Sequence, residues 1–182
     1  MRKLGAILVD GVTLPDVSES WFAEHLEVMF TEFKAQLPQY LAARRPRATV
    51  RTLADVIEVS KRDGVQLPPL EQAQQKGDIS GDSYQRARSH IRQISRSDGI
   101  DDAVRTHRLD ALISPAMGPA WSFAEEEKLD VYPALTLPMG SVNGLPVGIL
   151  IFGTAWSDAV LLRCAYAYEQ ATRHRKPPTP RV

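Results

Sequence analysis

Residues 131–178 contain two apolar runs, a tight turn and a helical pattern in one short stretch. The runs, at 134–137 and 147–152, are bounded by Pro and Gly, which is typical of strands that are buried on both faces. Between them, Asn143-Gly144 supplies the two positive-φ residues that a tight reversal requires. The stretch therefore predicts a β-hairpin.

A helix is predicted directly after the second run, which ends at Gly153. Ser157 and Asp158 supply a capping hydroxyl and a carboxylate that favours the positive end of the helix dipole. Basic residues at 173–175, followed by two prolines, mark the end of the helix. An apolar stripe with helical spacing is expected to pack on the sheet, and it consists of Leu161, Cys164, Ala165 and Tyr168.

The same stretch resembles a known family. PALTLPMGSVNGLPVGILIFG at 133–153, followed by AWSDAVLLRCAYAYEQATRHRKPP at 155–178, is similar to the C-terminal end of amidase signature family hydrolases. That family typically reads P-A-[LI]-T-x-P-x-G, G-L-P-V-G-[IL] and A-[YF]-A-[YF]-E-Q-A-T. Looser likeness lies in LGA at 4–6, RTLADVIE at 51–58, LEQAQ at 70–74 and LDALISPAMGPA at 109–120. The resemblance covers nearly the whole chain, but only the last part of a usual family member.

The remaining segments alternate between strand and helix patterns. Residues 5–10, GAILVD, have strand character, and an amphipathic helix from Ser18 or Ser20 is closed by Pro38. Thr52 with Asp55 predicts a capping box, and residues 110–114 form a strand that Pro115 stops. Polar helices follow Asp82 and are interrupted at Asp98-Gly99. This order predicts an α/β fold, a mixed sheet with flanking helices. The resemblance makes it a partial amidase-signature fold.

Length and charge limit the classes of protein to which this chain can belong. With 182 residues, 43% of them hydrophobic, the chain can bury one sizeable core, so residues 1–182 are expected to form a single domain. Lys+Arg and Asp+Glu both number 22, and this balance gives no indication of nucleic acid or an acidic membrane as partner. The lone Cys164 cannot form an internal disulfide, so a reduced, cytoplasmic setting is expected. No apolar span approaches the roughly 20 residues of a membrane helix.

The resemblance implies a catalytic apparatus that we do not find in this sequence. The family cleaves amides with two serines in a Gly/Ser-rich loop and a lysine base, because a serine attacks only when a base takes its proton. The nearest candidate, residues 80–83 (SGDS), is explained by helix-start chemistry. The lysines lie in polar or terminal settings. No catalytic residue is therefore assigned, and the chain is predicted to be inactive alone.

Other arrangements of reactive residues give only weak evidence for a catalytic or binding site. His107, Asp110 and Ser114 include the residue types of a hydrolytic triad, but they fall within eight residues at one junction, whereas triad members converge from different elements. The four histidines show no metal-ligand spacing, and no Gly-rich phosphate loop is present. No metal and no cofactor are expected. Gly148 and Gly153 are interpreted as sites of close packing.

The resemblance implies that this chain forms one wall of a substrate pocket, because the family's strand exits border the cleft. Ligands in α/β sheets also collect near strand ends. The interpretation of these positions as ordinary turn and core residues stays open. The candidate substrate-binding residues are Pro115, Ala116, Met117, Trp121, Thr136 and Pro138.

We therefore expect the C-terminal portion of an amidase, an enzyme of amide C–N hydrolysis or amide-nitrogen transfer. Two alternatives remain: a non-catalytic interaction subunit, and a decayed fragment related to amidases or to the amidase-like subunits of amidotransferases. A truncated sheet leaves a strand edge and an apolar face uncovered, so we expect association with a missing N-terminal amidase half or with a second copy. A small amide is the expected substrate only of the complete enzyme.

Overall fold

The computed structural model describes residues 1–15, 19–44, 49–116 and 132–177. The chain divides into two compact units: residues 1–16 with 92–182, here called the sheet unit, and residues 17–91, the helical unit. The elements in chain order are a 3₁₀ turn (Arg2–Leu4), α1 (Glu19–Arg44), α2 (Leu53–Arg62), α3 (Pro68–Gln74), α4 (Asp82–Arg92), a π-helical turn (Gln93–Ile100), α5 (Asp101–His107), β1 (Leu112–Pro115), β2 (Ala134–Val142), β3 (Leu145–Phe152) and α6 (Asp158–Thr172).

The three described strands form a sheet in the order β1-β3-β2. The predicted hairpin is confirmed: β2 and β3 are joined by Asn143 and Gly144, whose φ angles are 52° and 80°. The α/β class with flanking helices is also confirmed. The expectation of a mixed sheet requires a correction for the described strands, because β3 pairs antiparallel with both neighbours.

A β-bulge interrupts β2 next to the predicted pocket wall. Pro138 lies opposite Gly148 and Gly140 lies opposite Val147, so Met139 is the extra residue. A proline has no N–H to donate, and it is tolerated here because β2 lies at an edge of the described sheet. The bulge shifts the strand at the position where the sequence places candidate binding residues.

One face of the sheet is covered by α6. Ile149 and Ile151 of β3 and Leu137 of β2 form a buried cluster with Leu161 and Ala165 of the helix. The predicted stripe is thus confirmed for two of its members, and Tyr168 packs against the cluster from a partly buried position. Cys164 is a correction, because its side chain is exposed. The apolar stripe is narrower than the sequence spacing indicated.

The start of α6 differs from the predicted cap. Ser157 occupies the N-cap position, but its hydroxyl donates to the carbonyl of Thr154 at 2.8 Å and accepts no helix N–H. Gly153 lies close to this turn, since a Cβ added there would come within 2.7 Å of Ser157 Oγ and 3.3 Å of Leu161 Cδ2. The interpretation of Gly153 as a close-packing position is confirmed.

The N-terminal segment and α1 also differ from the prediction. Residues 5–10 were expected to form a strand, but the structure gives residues 6–10 no regular secondary structure. Helix α1 was expected to end at Pro38, whereas it continues to Arg44 with the proline inside. Proline removes one helical hydrogen bond, and the following residues 39–44 contain several good helix formers that continue the helix.

The helical unit is connected by polar contacts between residues that are far apart in sequence. Lys34 Nζ of α1 donates to the carbonyls of Gln74 and Lys76 at 3.0 and 2.6 Å. Tyr84 Oη donates to Glu32 Oε1 at 2.7 Å in a buried contact. Burial, followed by the Glu32 hydrogen bond, raises the pKa of Tyr84. An ion pair between Lys76 and Glu27 at 2.7 Å and a contact between His90 Nδ1 and Glu24 Oε2 at 2.6 Å attach α1 to the segment that contains α3 and α4.

Two local predictions in the middle of the chain are confirmed. Thr52 and Asp55 form the expected capping box at the start of α2. Backbone hydrogen bonds from Arg51 and Thr52 lower the pKa of the Asp55 carboxyl. The predicted interruption at Asp98-Gly99 lies in the π-helical turn, where Gly99 has non-helical angles of φ −104° and ψ −106°.

Candidate functional site

The three described strands approach closely at Gly148. The N–H of Ala116 donates to the carbonyl of Gly148 at 2.9 Å, directly after β1 ends. A Cβ added at Gly148 would come within 2.8 Å of Thr136 Cγ2 and 3.0 Å of Ala116 Cβ. Only a residue without a side chain allows this approach, so the interpretation of Gly148 as a close-packing position is confirmed.

The register shows which candidate binding residues share a face. Thr136 and Pro138 are two residues apart on β2, and Pro138 lies opposite Gly148. Both therefore lie on the same face as Gly148 and the methyl group of Ala116. This face, opposite the one that α6 covers, is here called the second face.

Pro115 does not share the second face with Ala116, Thr136 and Pro138. Pro115 pairs with Ile149, a member of the cluster beneath α6, and so belongs to the α6-covered face. Met117 and Trp121 lie outside the described residues.

Near Gly148 the second face has one exposed hydroxyl, whereas Leu150 and Phe152, further along β3 on the same face, are buried. Thr136 is exposed, while Ala116 and Pro138 are half-buried. None of the three side chains titrates, so they can shape a substrate pocket and one hydroxyl can hydrogen-bond a ligand. They cannot act as a general acid or base.

Ser80 and Ser114, two of the serines considered in the sequence, make hydrogen bonds to residues close to them in the chain. Ser80 donates through both its N–H and its hydroxyl to Asp78 Oδ1, at 2.8 and 2.7 Å, just before α4. These hydrogen bonds, the backbone one first, lower the pKa of Asp78. Ser114 Oγ donates to the carbonyl of Pro115 at 3.0 Å. The Ser80 contacts are those of a turn-forming residue, whereas Ser114 makes a local side chain to backbone contact within β1.

A buried tyrosine in the sheet unit was not found by the sequence analysis. Tyr132 Oη donates to Asp101 Oδ2 at 2.6 Å, and the guanidinium of Arg96 lies 4.8 Å from the centre of its ring. Burial, with a further contribution from Asp101, raises the pKa of Tyr132 to about 12. No local pattern signals this contact, because the partners are 31 residues apart in the chain.

Searches for two other kinds of feature found nothing in the described ranges. No group of three or more His, Cys, Asp or Glu side chains there is placed to hold a metal ion. Among the helices of the same ranges, none combines the length and the apolar character needed to cross a membrane.

Comparison with known proteins gives a consistent result. The structure matches that of native peptide amidase from Stenotrophomonas maltophilia with a TM-score of 0.79 and 37% identity, over 90% of this chain and 36% of that chain. A probable amidase of Arabidopsis thaliana is 29% identical over 98% of this chain. The chain is related to amidases. A glutamyl-tRNA(Gln) amidotransferase polypeptide of Synechococcus is 33% identical over 53% of this chain and 22% of its own length. No family model matches.

The amidase relationship confirms the resemblance that the hairpin and α6 motifs predicted. It also has a definite extent: this chain spans 36% of the length of the Arabidopsis relative and 36% of the peptide amidase chain. The match is therefore to part of an amidase. The assignment of the second face as a pocket wall remains a prediction.

Proposed function

We propose that this chain is the C-terminal portion of an enzyme that hydrolyses amide C–N bonds, and that it does not hydrolyse amides alone. The observation that carries the proposal is the match to the peptide amidase over 90% of this chain and only 36% of the other. The chain supplies a three-stranded part of the sheet, the helix α6 that covers it and one wall of the substrate pocket. Residues 1–182 act together as one part of the amidase domain.

The wall is formed on the second face of the sheet. Thr136 supplies a hydroxyl that hydrogen-bonds the substrate, and Ala116 and Pro138 limit its width. Met117 and Trp121 remain candidate substrate-binding residues of this function. Pro115, on the face covered by α6, supports the strand end and does not contact the substrate.

The cellular environment and the substrate are part of the same proposal. Cys164 is a free, exposed thiol, which is compatible with a reduced, cytoplasmic environment. The substrate is a small amide that reaches the site when the remaining amidase portion is present. No cofactor is involved.

Complementation tests the proposal. The chain is co-expressed with the portion of the Stenotrophomonas maltophilia peptide amidase that has no counterpart here, and ammonia release from a peptide amide is measured. We expect hydrolysis by the mixture and none by either part. Hydrolysis by the purified 182-residue chain, or no hydrolysis by the mixture, would contradict the proposal.

A matched pair of variants tests the wall. Thr136→Val removes the hydroxyl from the second face, and we expect KM of the complemented enzyme to rise about fivefold as one hydrogen bond of roughly 1 kcal/mol is lost. Ser141→Val is the control, because Ser141 is exposed near the turn end of the same strand. Equal KM values for the two variants would show that Thr136 does not contact the substrate.

An interaction protein without catalytic function is the second candidate. Large apolar side chains are exposed on α6 and on the turn before it: Trp156 is 93% exposed, Leu162 62% and Tyr166 66%. Such a surface favours a protein contact. Association of the chain with a partner or a second copy in solution, without amide hydrolysis in any mixture, would favour this candidate.

A further inference from the structure

Strand β2, which carries Thr136, is held by few backbone contacts. It lies at an edge of the described sheet, so β3 is its one partner among the described strands. The pairing shifts at the bulge between Pro138 and Gly140, directly after the candidate binding residues. The placement of Thr136 therefore depends strongly on how the beginning of β2 is held.

The beginning of β2 has one backbone hydrogen bond in place of two. The N–H of Gly153 donates to the carbonyl of Pro133 at 3.2 Å, directly before the strand. A hydrogen-bonded pair in an antiparallel ladder normally exchanges two such bonds, but Pro133 has no N–H to donate in return. The backbone alone therefore fixes this end of the strand incompletely.

The side chain of Tyr132 supplies a second anchor at the same point. Tyr132 is buried, with 8% of the residue exposed, and its Oη donates to Asp101 Oδ2 at 2.6 Å. The guanidinium of Arg96 lies 4.8 Å from the centre of its ring. Asp101 is the first residue of α5 and Arg96 lies in the π-helical turn. One side chain thus connects the beginning of β2 to two neighbouring elements of the sheet unit.

We infer that Tyr132 is a positioning residue for the pocket wall: its hydrogen bond to Asp101 fixes the beginning of β2 and thereby places Thr136 against the substrate. The inference rests on the proposed function. Thr136 is four residues further along the chain, and it comes before the bulge, so a shift at Tyr132 is carried along the strand to its hydroxyl. Neither Tyr132 nor Asp101 contacts the substrate in this role.

Hydrogen exchange of the 182-residue chain tests the anchor without any enzymatic activity. Tyr132→Phe removes only the hydroxyl and keeps the ring beside Arg96. We expect the amides of residues 135–137 to exchange roughly threefold faster than in the parent chain, because the beginning of β2 opens more often. Thr172→Val is the matched control, since it removes a hydroxyl that donates to the carbonyl of Tyr168 at 2.8 Å within α6, and it should leave exchange in β2 unchanged.

Kinetics of the complemented enzyme test the role of Tyr132 toward the substrate. Tyr132→Phe should raise KM for a peptide amide about threefold and change kcat by less than about twofold, because the loss concerns binding through Thr136. Combined with Thr136→Val, it should raise KM no further than Thr136→Val alone, because two residues that act through one contact are not additive.

Two variants of Asp101 separate the hydrogen bond from the rest of the site. Asp101→Asn keeps an oxygen that accepts from the Tyr132 hydroxyl, so it should keep the parent KM. Asp101→Ala removes the acceptor and should raise KM as much as Tyr132→Phe. Equal KM values for the two Asp101 variants would contradict the positioning role.

The outcomes distinguish the positioning role from the proposed function. If hydrolysis is restored but Tyr132→Phe leaves KM unchanged, or adds its full effect to that of Thr136→Val, the positioning role is overturned and the proposed function stands. Unchanged exchange of residues 135–137 in Tyr132→Phe also overturns the positioning role alone. If the parent chain restores no hydrolysis in the mixture, the proposed function fails, and the role of Tyr132 toward a substrate fails with it.

Discussion

Both units contain buried apolar side chains, and the helical unit adds several polar contacts between elements that are far apart in sequence. In the sheet unit, Ile149, Ile151 and Leu161 pack in one apolar cluster between β3 and α6. In the helical unit, long polar side chains connect α1 to the segment around α3 and α4, as in the contacts of Lys34 and Glu32. Each methylene removed from an apolar cluster lowers the free energy of unfolding, whereas a polar contact depends on a few atoms with correct geometry.

The difference explains which unit the sequence describes better. Apolar runs and turn residues are local signals, and they predicted the hairpin and α6 of the sheet unit. Polar contacts between residues 40 or more positions apart leave no local pattern. Three predictions test this comparison, from the largest expected effect to the smallest.

Truncation of the sheet unit's cluster should have the largest effect. Leu161 is fully buried, at 0% exposure, so Leu161→Ala leaves a cavity and should lower the free energy of unfolding by about 2–5 kcal/mol. Leu162→Ala, at the neighbouring position with 62% exposure, should change it by less than about 0.5 kcal/mol. Urea unfolding followed by circular dichroism measures both. Equal losses would show that the cluster is not the main source of stability.

Alkaline pH should weaken the contact of Tyr132 with Asp101 in the sheet unit. The pKa of Tyr132 is raised from 10.0 to about 12, so its stabilising contribution is complete below pH 10 and is lost as pH rises through 12. The loss should reach roughly 2–3 kcal/mol, since each pKa unit corresponds to about 1.4 kcal/mol. Unfolding measured between pH 9 and 12 checks this. Tyr132→Phe should flatten the slope.

Removal of a polar contact should have a smaller and more local effect in the helical unit. Lys34→Met deletes the donor to the carbonyls of Gln74 and Lys76, and we expect a loss of about 1–3 kcal/mol. Lys61→Met breaks an exposed pair with Glu71 and should cost at most about 1 kcal/mol. Hydrogen exchange of α3 should accelerate only in the first variant. Equal losses of stability in the Lys34 and Lys61 variants would show that the part-buried contact of Lys34 contributes no more than the exposed pair of Lys61.

The errors of the sequence analysis have physical causes. Residues 5–10 have strand composition, but a strand requires a neighbour, and the described sheet provides none. Pro38 reads as a helix end because proline removes a hydrogen bond, yet α1 continues beyond it. Cys164 has the spacing of the buried stripe, but the sheet is only three strands wide in the described residues and α6 buries a narrower face. In each case the deciding factor is what lies beside the residue in space.

The candidate site was predicted in part. Ala116, Thr136 and Pro138 were selected from strand exits, and the structure groups them on the second face. The separation of Pro115 from them depends on pairing register, which apolar periodicity alone does not specify. The Tyr132 contact with Asp101 was beyond any local pattern.

The close approach at Gly148 has a consequence for the proposed pocket wall. Because a single added carbon there would meet the side chains of Thr136 and Ala116, the spacing of the strands at this point is set by their main chains. Under the proposed function, a mutant library aimed at new amides should therefore vary positions 116 and 136 of the proposed pocket wall and keep glycine at 148. Additional space at this point must come from smaller side chains at positions 116 and 136.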